Sequence, residues 1–116
     1  MATTVLIVDD HRTFRQSAHT LLELDGFKVV GEAGDGASGL DLVRVLEPDV
    51  VLLDIALPDM SGFDVAERLT PETKVILTSS RQQSDLGRRV RQSGALGFIP
   101  KDHLSGDSMR RLLDAA

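Results

Sequence analysis

Two hydrophobic rhythms alternate along the chain. Short runs rich in β-branched and aliphatic residues occupy positions 5–8, 28–33, 50–55, 75–79 and 96–99. Each is too short for a helix and too apolar for a strand with one face in water, so buried parallel strands are predicted. Between them the apolar positions fall at helical spacing: Phe14, Ala18, Leu21 and Leu22; Ala37, Leu40, Val43 and Leu46; Phe63, Ala66 and Leu69; Leu86, Val90 and Ser93; then Met109, Leu112 and Leu113. Asp25-Gly26, Glu47-Pro48, Thr70-Pro71 and Ser93-Gly94 supply the breaks that end the first four helices. Five strand-helix repeats joined by right-handed crossovers predict a doubly wound, three-layer α/β domain, (βα)5, with helices on both faces of a parallel sheet.

The length of 116 residues suits one such domain, covering residues 1–116, with no linker, repeat or low-complexity segment. Cysteine is absent, which excludes disulfides, thiolate catalysis and cysteine-ligated metals. No apolar run approaches the roughly 20 residues of a membrane span, and no signal-peptide pattern opens the chain, so a cytoplasmic protein with no membrane partner is expected. A net charge of −5, with neither Tyr nor Trp, argues against direct binding of nucleic acid.

In a doubly wound sheet, ligands bind beyond the carboxyl ends of the strands. Those ends carry Asp9 and Asp10 after the first strand, Asp54 at the third, Thr78, Ser79 and Ser80 after the fourth, and Lys101 after the fifth. Two carboxylates about 4 Å apart repel by about 4 kcal/mol at an effective dielectric near 20, so three together call for a cation. An all-oxygen donor set selects a hard ion; magnesium is expected, with manganese the alternative. Asp54 then reads as a nucleophile toward phosphorus, with the cation and Lys101 on the phosphoryl oxygens and a hydroxyl donating to one of them.

Taken in order, "VLIVDDH", "VVLLDIALPDMSGFD", "VILTSS" and "GALGFIPKD" resemble the receiver domain of two-component response regulators, over essentially the whole chain. The first and last strings are most similar to the NarL/LuxR-type subfamily. The resemblance implies the flavodoxin-like strand order 2-1-3-4-5 and transfer of a phosphoryl group to Asp54 from a sensor histidine kinase or a small phosphodonor. It implies a phosphoacceptor that promotes its own phosphorylation and slow dephosphorylation, and not an enzyme in the usual sense. Asp9, Asp10 and Asp54 would hold magnesium together with the backbone carbonyl of Ala56. Lys101 would pair with Asp54 at rest, and its loss should hurt signalling more than stability. The family's spacing selects Ser79 as the hydroxyl, with Thr78 second and Ser80 following. Phe98 matches the aromatic residue that follows that hydroxyl in the family's switch, which reshapes the face of helix four, strand five and helix five. Subfamily members usually attach a C-terminal helix-turn-helix domain, through which alone DNA would be bound. The chain is then either part of a longer transcriptional regulator or a single-domain regulator acting by protein contact, and phosphorylation is a candidate trigger for homodimer formation.

Three departures from the family pattern stand out. The Asp54-to-Ser79 interval is short, which predicts a short third helix at residues 62–69. Lys101 precedes Asp102 where many receivers have proline, so a trans bond is expected there. Ala56 and Arg81 occupy positions at which the family tunes dephosphorylation; an alanine cannot activate water and an arginine can shield the phosphate, which suggests a long-lived phospho-aspartate. His11 reads as an exposed first-turn residue near the site that magnesium does not need, and Arg81, Arg88, Arg89 and Arg91 as a solvated helix face. An aspartate-nucleophile phosphohydrolase would want an acid at Ala56. A flavin module would not tolerate Asp9-Asp10 beside a phosphate.

Overall fold

The computed structural model describes residues 2–80 and 86–115. Strands β1 (Thr4–Val8), β2 (Lys28–Ala33), β3 (Val50–Asp54), β4 (Lys74–Ser79) and β5 (Gly97–Pro100) alternate with helices α1 (Arg12–Leu24), α2 (Gly36–Leu46), α3 (Gly62–Leu69), α4 (Leu86–Ser93) and α5 (Gly106–Asp114). A single 3₁₀ turn, Lys101–His103, follows β5. All strand pairs are parallel, in the order β2-β1-β3-β4-β5, as the resemblance implies.

Strand side chains alternate between the two faces, and the core divides accordingly. Leu6, Val8, Val51, Leu53, Val75 and Leu77 pack under Val43, Phe63, Ala66, Leu69 and Val90 from α2, α3 and α4. Val5, Ile7, Val50, Leu52, Ile76 and Ile99 pack under Ala18, Leu22 and Met109 from α1 and α5. Because both faces are covered, the central strands have no wet side, which is why their sequences show no polar alternation.

The helices end where the sequence breaks. Gly26 and Gly94 take φ of +95° and +83°, and Glu47 closes α2 in the left-handed region. α3 spans Gly62–Leu69, the short helix expected. The strand predicted at 96–99 is displaced by one residue, although Leu96 N still donates to Val75 O at 2.8 Å. Among the described residues the cis bond precedes Pro71, and the bond from Lys101 to Asp102 is trans as expected. No helix of the described residues is long and apolar enough to cross a membrane.

The start of α2 is held by two acids. Asp35 caps it by accepting from Ser38 N, and Asp59, from the loop after β3, accepts from Gly36 N and Ala37 N at 2.8 and 2.9 Å. These amide donors hold the Asp59 carboxyl below its ordinary pKa, and they tie the β3–α3 loop to a neighbouring helix.

Candidate functional site

The strand ends bring Asp9, Asp10, Asp54 and Lys101 together at the carboxyl edge of the sheet. Asp9 is fully buried; its backbone N donates to Ala33 O at 2.9 Å, which continues the β1–β2 ladder by one residue. Its Oδ1 accepts from His11 N at 2.8 Å, a local turn that reverses the chain into α1. Arg15, one turn into α1, donates from its guanidinium to Asp9 O at 2.7 Å and to Glu32 Oε1 at 3.2 Å, while His19 Nδ1 lies 2.8 Å from Glu32 Oε2. The end of β1 is thereby clamped from the β2 side.

Asp54 closes β3 with its side chain 3% exposed, and its Oδ1 accepts from Ala56 N at 3.0 Å. Lys101 Nζ lies 2.7 Å from Asp9 Oδ2 and 3.2 Å from Asp54 Oδ2, so it serves both buried acids and is nearer to Asp9 than to its expected partner. Among the described residues Asp9 Oδ2 has no aligned hydrogen bond; the charge of Lys101, 2.7 Å away, balances it. The ammonium also sits 4.5 Å from the centre of the Phe14 ring, within cation–π range. Asp10 is partly exposed at the rim. Burial chiefly, and the nearby Asp9 charge, raise the Asp54 pKa above its ordinary value; the Ala56 amide and Lys101 pull the other way.

The hydroxyl choice is narrowed by packing. Thr78 pairs with Asp54 in register, but its Oγ1 is buried and donates to Ile99 O at 2.6 Å, tying β4 to β5. Ser79, also buried, is the next residue, opposite Pro100 and so one register step from Lys101. Ser80 is exposed and lines a shallow depression with His11, Phe14 and Lys101. Phe98 lies on β5 opposite Leu77, half-buried against the α2–α4 side of the core. Arg81 lies outside the described residues. Arg88, Arg89 and Arg91 are exposed on α4, with Arg89 stacked 4.2 Å over Phe63.

The loop after Asp54 folds back so that Gly62 N donates to Ile55 O at 2.9 Å. A Cβ on Gly62 would stand 2.2 Å from Asp54 O and 2.6 Å from Ile55 Cα, so glycine there is a condition for placing Asp54. Sequence reasoning assigned no role to Phe14, Arg15 or Gly62. Phe14 carried only the signal of a core helix position, whereas Gly62 sits in the "DMSGFD" string itself.

One ligand atom each from Asp9, Asp10, His11 and Asp54 falls within 4.8 Å of all the others. The three acids fit a hard divalent cation, since they are oxygen donors, two of them buried, with one positive side chain among them. A phosphoryl group placed over Asp54 would face Lys101 and any cation held by these acids, an arrangement suited to phosphoryl transfer.

A family profile described as the response regulator receiver domain matches residues 5–113. The nitrate/nitrite response regulator protein NarP of Escherichia coli K12 is 45% identical over 103 residues, covering 84% of this chain and 47% of its own. The probable transcriptional regulatory protein NarL of Mycobacterium tuberculosis is 38% identical over 116 residues, covering 97% of this chain and 54% of its own. The solved signal receiver domain of the putative response regulator NarL from M. tuberculosis superposes with a TM-score of 0.87 at 36% identity, covering 98% of this chain and 95% of that one. The chain spans about half the length of the curated relatives it matches.

Proposed function

The chain belongs to the receiver-domain family of two-component response regulators, in its NarL/LuxR-type branch, and from that premise we propose that Asp54 is the phosphoacceptor of a signalling switch. The observation that carries the reading is the convergence of Asp9, Asp54 and Lys101, with Nζ within 3.2 Å of both buried carboxylates.

In the transfer, an Asp54 carboxylate oxygen attacks the phosphorus of a phosphohistidine on a sensor kinase. The O–P bond forms as the N–P bond breaks, and the imidazole leaves with the electron pair. Asp9, Asp10, Asp54 and the Ala56 carbonyl would hold magnesium, or manganese in its place. Such an ion supplies charge neutralisation at the phosphoryl oxygens. Lys101 exchanges its contacts with Asp9 and Asp54 for one with the phosphate. Ser79 donates to a phosphoryl oxygen, and Phe98 follows into the space it leaves. The α4–β5–α5 face shifts between two pre-existing arrangements. The protein is a phosphoacceptor in the cytoplasm, and its output is transcription through a C-terminal helix-turn-helix domain, with phosphorylation favouring a homodimer. Its own chemistry is confined to gaining and slowly losing the phosphoryl group, for which Ala56 and Arg81 suggest a long lifetime.

The test is incubation with a small acyl phosphate, or with phosphorylated sensor kinase, in magnesium buffer, followed by intact mass. One added phosphoryl group in the wild-type chain and none in Asp54→Asn is expected. Equal labelling of both, or of neither by either donor, would overturn the reading.

A further inference from the structure

We propose that His11 is a fourth protein ligand of the cation site, and that its imidazole moves the site's preference from magnesium toward the first-row ions from manganese to nickel. The inference rests on reading Asp9, Asp10 and Asp54 as a cation site and asks which ion they hold. His11 immediately follows the acid pair and stands at the N-cap of α1. Although its side chain is 60% exposed, its Nδ1 lies 3.0 Å from Asp9 Oδ1, 3.2 Å from Asp10 Oδ1 and 3.9 Å from Asp54 Oδ2. Around an octahedral ion with bonds of about 2.1 Å, adjacent ligand atoms stand about 3.0 Å apart and opposite ones about 4.2 Å. The nitrogen therefore occupies a position that a ligand atom would take, at edge distance from two acids and close to the diagonal from the third.

Hydrogen bonding alone leaves Nδ1 with contradictory demands. Ionised carboxylates only accept and ask it for a proton, whereas Lys101 Nζ, 3.2 Å away, only donates and asks it for a lone pair. One ring nitrogen cannot meet both. A cation among these atoms accepts lone pairs from the nitrogen and the carboxylates together, while Lys101 keeps Asp9 Oδ2 and Asp54 Oδ2 as its acceptors. The backbone of His11 is already fixed there by its own N–H on Asp9 Oδ1. Magnesium gains little from an imidazole, since it favours oxygen and retains water. For borderline ions an imidazole donor adds affinity, and affinity rises from manganese through cobalt to nickel.

Calorimetric titration of the whole chain with Mg²⁺, Mn²⁺ and Ni²⁺ at one fixed pH compares wild type with His11→Ala and His11→Asn, the latter a residue favoured at the N-cap position that His11 occupies. Nickel affinity should fall by about tenfold or more in both variants, while magnesium affinity changes by less than about threefold. Pulsed electron paramagnetic resonance of the Mn²⁺-loaded wild type should show a nitrogen coupling that His11→Asn lacks. His19 and His103 are present throughout and contribute a common background. Equal losses for magnesium and nickel, no loss, or a wild-type spectrum without nitrogen coupling would overturn the ligand role and leave the cation site standing. Magnesium binding that is absent, or indifferent to Asp9→Asn, would instead remove the cation site itself.

Discussion

Replacing Lys101 by methionine tests the electrostatic account of the site directly. Methionine keeps an unbranched apolar stem and removes the charge together with its cation–π contact with Phe14. Asp9 is fully buried, Asp54 is 3% exposed, and Lys101 itself is only 12% exposed. Breaking a buried pair by removing one partner costs about 3–5 kcal/mol; the rim position of the ammonium argues for the lower end, about 3 kcal/mol. Against a domain stability of roughly 5–15 kcal/mol this is a large fraction. With a urea slope of about 1.5 kcal/mol per molar, the unfolding midpoint in chelator should drop by about 2 M. Far-ultraviolet circular dichroism is the suitable probe, because the chain has neither Trp nor Tyr. Millimolar magnesium should restore most of the loss, since a bound cation replaces the missing charge, and adding Asp54→Asn to Lys101→Met should recover part of it without metal. An unchanged midpoint in chelator, or a loss that neither cation nor Asp54→Asn relieves, would refute the reasoning. The expected result is a loss of stability alongside the loss of signalling that the family pattern implies.

Because the folded Asp54 pKa is raised above 3.8, its favourable contribution is complete below that pH and disappears as pH rises through the folded value. In chelator, Asp54→Asn should therefore become progressively more stable than wild type as pH rises from about 4 through the folded value in thermal melts; a difference independent of pH would count against this. Gly62→Ala should lose at least about 1–3 kcal/mol in urea and slow phosphorylation, because the three nearest neighbours of the new methyl are all backbone atoms of the Asp54 turn. Thr78→Val removes the donor to a buried Ile99 carbonyl and should cost about 1–3 kcal/mol, while Ser79→Ala should slow Asp54 labelling more than Thr78→Val does; the reverse ranking would move the hydroxyl role to Thr78.

The fold was legible because its determinants are local. The "VLIV" and "VVLL" runs, Gly26, Glu47 before Pro48, and Gly94 each act within a few residues, and all five helices formed where the periodicity placed them. The acids and Lys101 were legible for a related reason: the topology sends every strand end to one edge. Less visible were contacts between residues distant in sequence. Nothing in "VDDHRTF" says that Phe14 will lie under an ammonium 87 positions later, or that Lys101 will favour Asp9 over Asp54. The family's spacing put Ser79 before Thr78 as the hydroxyl, but the bond that commits the Thr78 hydroxyl to Ile99 O across the β4–β5 pair was not visible in the sequence. Arg15 and Glu32 are an ordinary surface pair by composition, and their hold on the Asp9 carbonyl is a product of packing.

The double grip of Asp59 on the first two amides of α2 bears on the time course of the switch. Freeing the loop that carries Ala56 requires both amides to lose their acceptor, so the loop and the amino end of α2 open in one event. Hydrogen exchange at Gly36 and Ala37 is then a clock for motion of the cradle wall, read from a different element of the fold. A phosphoryl group bound to Asp54 through that wall should slow the exchange there, and Asp59→Ala should release it.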